Sequence, residues 1–268
     1  MNEEDKVREY WDNQATIHGA SSLATMPDPF LKELEIENIS KYLRDGMQVA
    51  DLGCGNGYST FRYARQNNIR IQGVDYSESM IVNAMNVLSE SDGDVRNRVG
   101  FQSGDVRDTG LPAVSFDTVI TDRCLINLTS RDDQMKAVHE VHRILRPGGL
   151  YLMCEDTEQG LNNLNRIRVA MGLESIGVRW HNLYLDEAHI VPGASKIFEL
   201  ITVENFSSFY YLSSRIIHAK LAQEQGIEPR YDSDINRVAA LFSSIGEFGD
   251  FGPLKLFVFR KPEQENPA

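Results

Sequence analysis

Between residues 47 and 155, short apolar runs alternate with segments of helical period, and this alternation restricts the architecture more than any other feature of the chain. MQVADL (47–52), IRIQGVD (69–75), RVGFQ (98–102), FDTVIT (116–121) and LYLMCE (150–155) read as strands. Helices are expected at 58–66, from Ser77 to about Leu88 and from Arg131 to about Leu145, the last ended by RPGG (146–149). Strands alternating with helices build βαβ units, because only a crossover helix returns the chain to lay the next strand parallel. The expected class is therefore α/β, with a doubly wound, mostly parallel sheet.

The flanks are less regular. Residues 3–13 read as a helix with Tyr10 and Trp11 as its large apolar members, and 18–29 as a Pro-punctuated loop. From Asp28 to Leu43 the apolar spacing is helical, with Asp28 and Pro29 as N-cap and first turn. Beyond 155 a helix is possible at 160–171, a strand running into a helix at 199–224, a helix at 235–245 and a final strand at 253–261. Seven strands result, five parallel ones followed by two late ones.

Composition narrows the function classes. The 268 residues carry 39 acidic against 27 basic side chains, a formal net charge of −12, with no Lys/Arg run. Such a surface repels phosphate backbones, so nucleic acid and anionic membranes are not expected as partners. The three cysteines, Cys54, Cys124 and Cys154, are widely spaced and contain no C-x-x-C pair, which speaks against a disulfide framework or a structural zinc site. The charged start MNEEDKVREYWD has no signal-peptide core, and no window approaches the roughly 18 apolar residues of a membrane span. A soluble protein of a reduced, cytoplasmic compartment is expected.

The sharpest local feature is VADLGCGNG (49–57), where a strand feeds Gly53, Gly55 and Gly57 and a helix follows at once. Glycines there permit a tight turn and a close approach of backbone to ligand, beside a helix N-terminus. The dinucleotide pattern G-x-G-x-x-G would need glycine at 58, where Tyr stands, and no G-K-[ST] follows as a phosphate loop requires. Asp51, at the strand end, suits the ammonium of an aminoacyl ligand better than a pyrophosphate. Asp75 ends the next strand in GVDYSESM, about twenty positions on, where a carboxylate accepts from both hydroxyls of a free ribose. GDV (104–106) ends the third: Asp105 suits an exocyclic amine of adenine, the Val106 amide a ring nitrogen, and Met80 is placed to pack on the adenine face.

In combination these residues resemble the class I S-adenosylmethionine-dependent methyltransferase family, small-molecule type. The resemblance covers about residues 45–155, through D-L-G-C-G-N-G, G-V-D-Y-S, G-D-V and E-V-H-R-I-L-R-P-G-G-L. It implies a Rossmann-like methyltransferase fold that binds S-adenosyl-L-methionine and leaves S-adenosyl-L-homocysteine. Asp51, Gly53, Cys54, Gly55 and Gly57 would then cradle the methionine part, Asp75 with Tyr76 the ribose, and Gly104, Asp105 and Val106 the adenine. Asp122, Arg123 and Cys124 would line the methyl-donating end, and the N-terminal segment would close over the site, bringing Trp11 to the cofactor and His18 to the acceptor. The implied layout is one methyltransferase domain: a helical cap (1–44), a cofactor-binding core (45–155), a substrate-side insertion after the fifth strand with late helices (156–250), a final strand (251–262) and a disordered tail (263–268).

Methyl transfer is an in-line displacement, and an oxygen acceptor must also lose a proton. His181, in VRWHNLYLDE, and Glu155, at the end of the fifth strand, are the expected catalytic candidates, with Arg179, Tyr184, Tyr210 and Tyr211 as substrate contacts. His139 and His142 form an H-x-x-H pair on the helix before RPGG, which packs behind the sheet and is read as structural; no metal site is expected. The expectation is methylation of an oxygen on a sugar or specialised metabolite. A small amine or amino sugar is the alternative, followed by a tRNA or protein methyltransferase and a non-catalytic cofactor-binding subunit.

Overall fold

The computed structural model describes residues 2–246 and 248–263. Helices α1 (Glu3–His18) and α2 (Pro29–Ser40) precede the sheet, then β1 (Gln48–Leu52), α3 (Tyr58–Gln66), β2 (Arg70–Asp75), α4 (Glu78–Glu90), α5 (Gly93–Arg98), β3 (Val99–Ser103), β4 (Phe116–Asp122), α6 (Arg131–Ile144) and β5 (Leu145–Asp156). The second part runs α7 (Glu158–Ala170), α8 (Glu187–Ala194), β6 (Glu199–Glu204), α9 (Ser208–Tyr211), a π-helical turn (Leu212–Ile217), α10 (His218–Gln225), α11 (Asp234–Ser243) and β7 (Leu254–Arg260). The helix starts follow their caps: Asp28 accepts from Leu31 N ahead of Pro29, and Ser77 from Met80 N.

The seven strands order as β3-β2-β1-β4-β5-β7-β6, with β1 to β5 pairing in parallel and β7 antiparallel to both of its neighbours, β5 and β6. Chain order reverses between β1 and β4, and there the carboxyl ends open a crevice. One face of the sheet, with Val49, Ile120, Leu152 and Cys154, packs under α2, α3 and α11. The other, with Leu52, Val119, Tyr151 and Met153, packs under α6 and α8.

Register sorts the strand-end acids by face. Asp51 pairs with Gly73 and with Ile120, and Asp122 pairs with Cys154. Side chains two apart along a strand share a face, so Asp51, Asp75, Asp122 and Asp156 all lie on the α2/α3 side. Glu155 falls on the opposite side.

Two expected elements differ. Helix α5 went unread because GDVRNR has too few apolar residues to show a period; it is capped by Asp92, which accepts from Val95 N. The fifth strand's span begins earlier, at Leu145, which pairs with Phe116; pairing with β4 then skips 146–149, where Gly148 has φ +77°, and resumes at Leu150. The strand expected at the start of 199–224 is β6, the edge strand beyond β7. Of the expected disordered tail, 264–268 lies outside the described residues.

Candidate active site

A cavity of about 250 Å³ opens at the carboxyl ends of β1, β2, β4 and β5. A second, of about 90 Å³, adjoins it, and Gly53, Asp75, Tyr76 and Cys124 line both. They are two compartments of one crevice.

The β1 turn forms the floor. Gly53 has φ +74°, and a Cβ there would lie 2.6 Å from both Cβ and Sγ of Cys124. Any side chain would be strained and would also push away the segment after β4. Cys124 is thus a small wall; burial raises its thiol pKa well above the ordinary range, so it is no thiolate. Asp51 accepts from Thr60 Oγ1 at 2.5 Å, and Asp75 accepts from Gly55 N at 2.8 Å and Ser77 N at 2.9 Å. Burial raises both carboxyls to about 6 against those hydrogen bonds. No ion pair among the described residues neutralises either acid.

Helix α1 covers this floor. Trp11 joins the large cavity, and Glu4, Val7 and Arg8 wall the small one, with the Arg8 guanidinium 5.3 Å from the Tyr76 ring centre. Ser77 Oγ donates to Asp12 at 2.6 Å and Asn83 Nδ2 to Ala15 O at 2.9 Å. Arg107 binds Asp105 at 2.6 Å and Glu4 at 2.6 Å, fastening the start of α1 to the small compartment.

The large cavity continues past Asp122 and Arg123. The buried cations there are paired: Lys32 with Asp122 at 2.7 Å and Glu35 at 2.9 Å, Arg123 with Glu35 at 3.0 Å, and Arg215 with Asp28. Arg123 adopts φ +51°, rare for a side-chain-bearing residue, and its amide donates to Cys154 O at 2.8 Å. His181 is buried in the wall, its ring stacked on Tyr10 at 4.2 Å with Trp11 edge-on at 5.5 Å. Its Nδ1 has no hydrogen-bond partner, and burial beside Arg179 lowers its pKa to about 4, so the ring is neutral at pH 7.

Residues 49–149 match a methyltransferase domain family. That span carries the glycine turn and the strand ends that line the crevice, so this core is similar to a methyltransferase domain. Among curated proteins, the chain is similar to the 27-O-demethylrifamycin SV methyltransferase of Amycolatopsis mediterranei, 32% identical over 52% of this chain and 47% of that one. It is also similar to a ubiquinone/menaquinone biosynthesis C-methyltransferase of Vibrio campbellii, 26% identical over 69% of this chain and 63% of that one. The chain spans about half the length of the curated relatives it matches, 47% for the rifamycin enzyme and 34% for a sterol 24-C-methyltransferase of Gibberella zeae. Among solved structures, the [4+2]-cyclase SpnF aligns over 87% of this chain and 81% of its own at TM-score 0.58 and 21% identity. A geranyl diphosphate methyltransferase aligns over 86% of both chains at TM-score 0.56 and 14% identity. At these identities the likeness is one of fold.

Most residues expected around the methyltransferase crevice line it. Asp51, Gly53, Cys54, Gly55, Asp75, Tyr76, Met80, Asp122, Arg123, Cys124 and Trp11 line the large compartment, with Arg179, His181, Tyr184 and Tyr211 beyond them. Gly104, Asp105 and Val106 line the small one.

Five expectations need correction. Glu155 does not face the crevice: it is fully buried on the other face of the sheet and accepts from the amides of Cys124, Leu125 and Ile126 at 3.1, 2.9 and 3.4 Å. Its work is to hold the turn after β4 in place. His18 ends α1 and lines neither compartment. Tyr210 is in the core, its hydroxyl donating to Asp28 Oδ1 at 2.7 Å. Gly57 caps α3 at φ +78° and lines neither compartment. Met80 is not beside Asp105: it packs with Ala15, Ala24 and Trp11 under α1, while Tyr76 and Leu128 share the small compartment with Asp105.

One residue went unnoticed. Asp156, next after Glu155, lines the large compartment, is 6% exposed, and its Oδ1 is buried without a hydrogen-bond partner. Strand alternation states that only one of two successive acids can face the crevice, but which one depends on the register with β4.

The lining of the crevice suits an aminoacyl nucleoside carrying a sulfonium. Two buried, cation-free carboxylates stand at adjacent strand ends around a glycine whose Cβ would fill the floor, and the Tyr76 hydroxyl is buried without a partner. The two carboxylates can accept from ammonium and hydroxyl protons, and neither is ion-paired among the described residues.

Proposed function

We propose that the protein transfers a methyl group from S-adenosyl-L-methionine to an oxygen of a small molecule such as a sugar or specialised metabolite. The observation that carries this is the pair Asp51 and Asp75, buried without cations at adjacent strand ends beside Gly53, at one end of a crevice that runs on into a compartment lined by tyrosines and acids. Asp51 would hold the ammonium, Asp75 the ribose hydroxyls, and the compartment around Gly104, Asp105 and Val106 the adenine. When bound, the cofactor supplies an electrophilic methyl carbon on a positively charged sulfur.

The chain's own residues do the rest. Trp11 and the 176–184 segment wall the far compartment, with Tyr10 stacked on His181, and would limit the water that reaches the reacting atoms. Tyr184 and Tyr211 give an acceptor ring or chain an apolar surface with polar tips. An oxygen acceptor also needs a proton acceptor, and the unpartnered His181 Nδ1 and Asp156 Oδ1 are both in that wall. A small acceptor, rather than nucleic acid or a membrane, is supported by the net charge of −12 and by the size of the cavity, about 250 Å³. No described helix is long and apolar enough to cross a membrane.

Titration calorimetry with S-adenosylhomocysteine tests the reading, with NAD as control and Asp75→Ala alongside. Micromolar binding of S-adenosylhomocysteine alone is expected, weakened roughly 100-fold in the variant through loss of two charge-assisted hydrogen bonds. No binding by the wild type, or preference for NAD, overturns it. Radiolabelled transfer from S-adenosylmethionine to a panel of sugars, phenols and amines then ranks oxygen against nitrogen as acceptor.

A further inference from the structure

We infer that Asp156 is the catalytic base of the acceptor compartment, taking the proton of a hydroxyl-bearing acceptor at the carboxyl edge of β5. The inference rests on the methyl-transfer reading above and deepens it.

Three observations meet at this residue. The first is register. Asp122 pairs with Cys154, so Asp156 stands on the same face as Asp51, Asp75 and Asp122 and one step further out along the sheet edge. A molecule lying along β1 and β2 and pointing towards β4 therefore meets Asp156 beyond its end. The second is the balance of charges. Lys32, Arg123 and Arg215 are each bound to another acid, and the remaining cation of the compartment, Arg179, is exposed at its edge and makes no ion pair among the described residues. Asp122 and Asp156 each leave Oδ1 without a hydrogen-bond partner, but Asp122 is bound to Lys32 through Oδ2, whereas Asp156 has no ion pair among the described residues. The third is cost. A buried carboxylate oxygen with no donor loses its solvation without recompense, a cost that a ligand donating to it removes.

The surroundings say what that ligand must be. Arg123, Asp122, Arg179, Tyr184 and Tyr211 are the charged and titratable groups around Asp156. Burial raises its carboxyl to about 6, leaving it mainly ionised at neutral pH and within range of a hydroxyl proton in flight. An acceptor must bring a hydrogen-bond donor to it, and a carboxylate or phosphate at that point would be repelled. An alcohol or phenol fits. In the step itself, the acceptor oxygen bonds to the methyl carbon as the carbon–sulfur bond breaks. The bonding pair stays on sulfur, which becomes a neutral thioether, and the hydroxyl proton passes to Asp156.

Sinefungin, an S-adenosylmethionine analogue with an amine at the position of the transferred methyl, probes this point without knowledge of the acceptor. Calorimetry compares sinefungin with S-adenosylhomocysteine on the wild type and on Asp156→Asn. The wild type is expected to prefer sinefungin by tenfold or more, and the variant to lose about tenfold of that preference at unchanged S-adenosylhomocysteine affinity. A preference that survives the substitution overturns the role of Asp156, and so does a parallel loss of S-adenosylhomocysteine. If Asp156→Asn does not fold, Asp156→Ser removes the same charge and reads the same ratio. Failure of the wild type to bind S-adenosylhomocysteine at all would instead sink the methyl-transfer reading, so the two failures are distinct.

Discussion

The two ends of the crevice are made by different means. The donor end is backbone and strand ends: one glycine turn, Asp51 and Asp75, all within 25 residues of sequence. The acceptor end is assembled from side chains of α1, α2, the edge of β4 and β5, the 176–184 segment and the helices after β6. At the end proposed for the donor, the candidate ligands are the sheet's own termini. The far end draws on segments that can change one at a time, so a conserved reaction type and a variable acceptor can share one fold.

Three substitutions would sharpen or break that contrast, beyond the Asp75 and Asp156 variants. The largest effect is expected from Gly53→Ala, where both the left-handed backbone and the 2.6 Å approach to Cys124 forbid a side chain. Affinity for S-adenosylhomocysteine should fall by tens of fold and unfolding free energy by about 1–3 kcal/mol. Unchanged affinity in calorimetry would show that the floor is not where the ligand rests.

The next concerns pH and Glu155. Burial raises its carboxyl to about 8, so the folded state keeps a proton that the unfolded chain releases near its ordinary value of 4.5. Stability from this group is then present at low pH and lost as pH rises through about 8. Thermal melts of the ligand-free protein should show stability falling from pH 5 to pH 8, with a shallower slope in Glu155→Gln. An identical slope in the variant would assign the titration to another group.

The smallest effect belongs to Tyr210→Phe. Losing one buried hydrogen bond to Asp28 should cost about 1 kcal/mol in chemical denaturation and leave S-adenosylhomocysteine affinity within about twofold. A large loss of affinity would move Tyr210 out of the core and into the site.

Legibility in the sequence followed the same division. Strand ends and glycines are local signals, so the fold and the residues of the β1, β2 and β3 turns could be read directly, down to the bounds of α3. Glu155 and Asp156 could not be told apart, because facing is decided by pairing with β4 and not by either residue's neighbours. Tyr210 and Tyr211 present the same difficulty on a helix: one points to Asp28 and the core, the other to the crevice. Met80 was placed beside the adenine compartment because α1, which claims its side chain, lies more than 60 residues earlier.

The Arg107 bridge has a kinetic consequence. It joins Glu4, on the covering helix, to Asp105, in the small compartment, through side chains that are part-exposed and therefore open to dissolved ions. Salt weakens such a pair far more than it weakens the buried Lys32 cluster. Traffic past α1 should therefore quicken with ionic strength while the sheet beneath it stays unchanged, making residence time in the small compartment a property of the medium as much as of the fold.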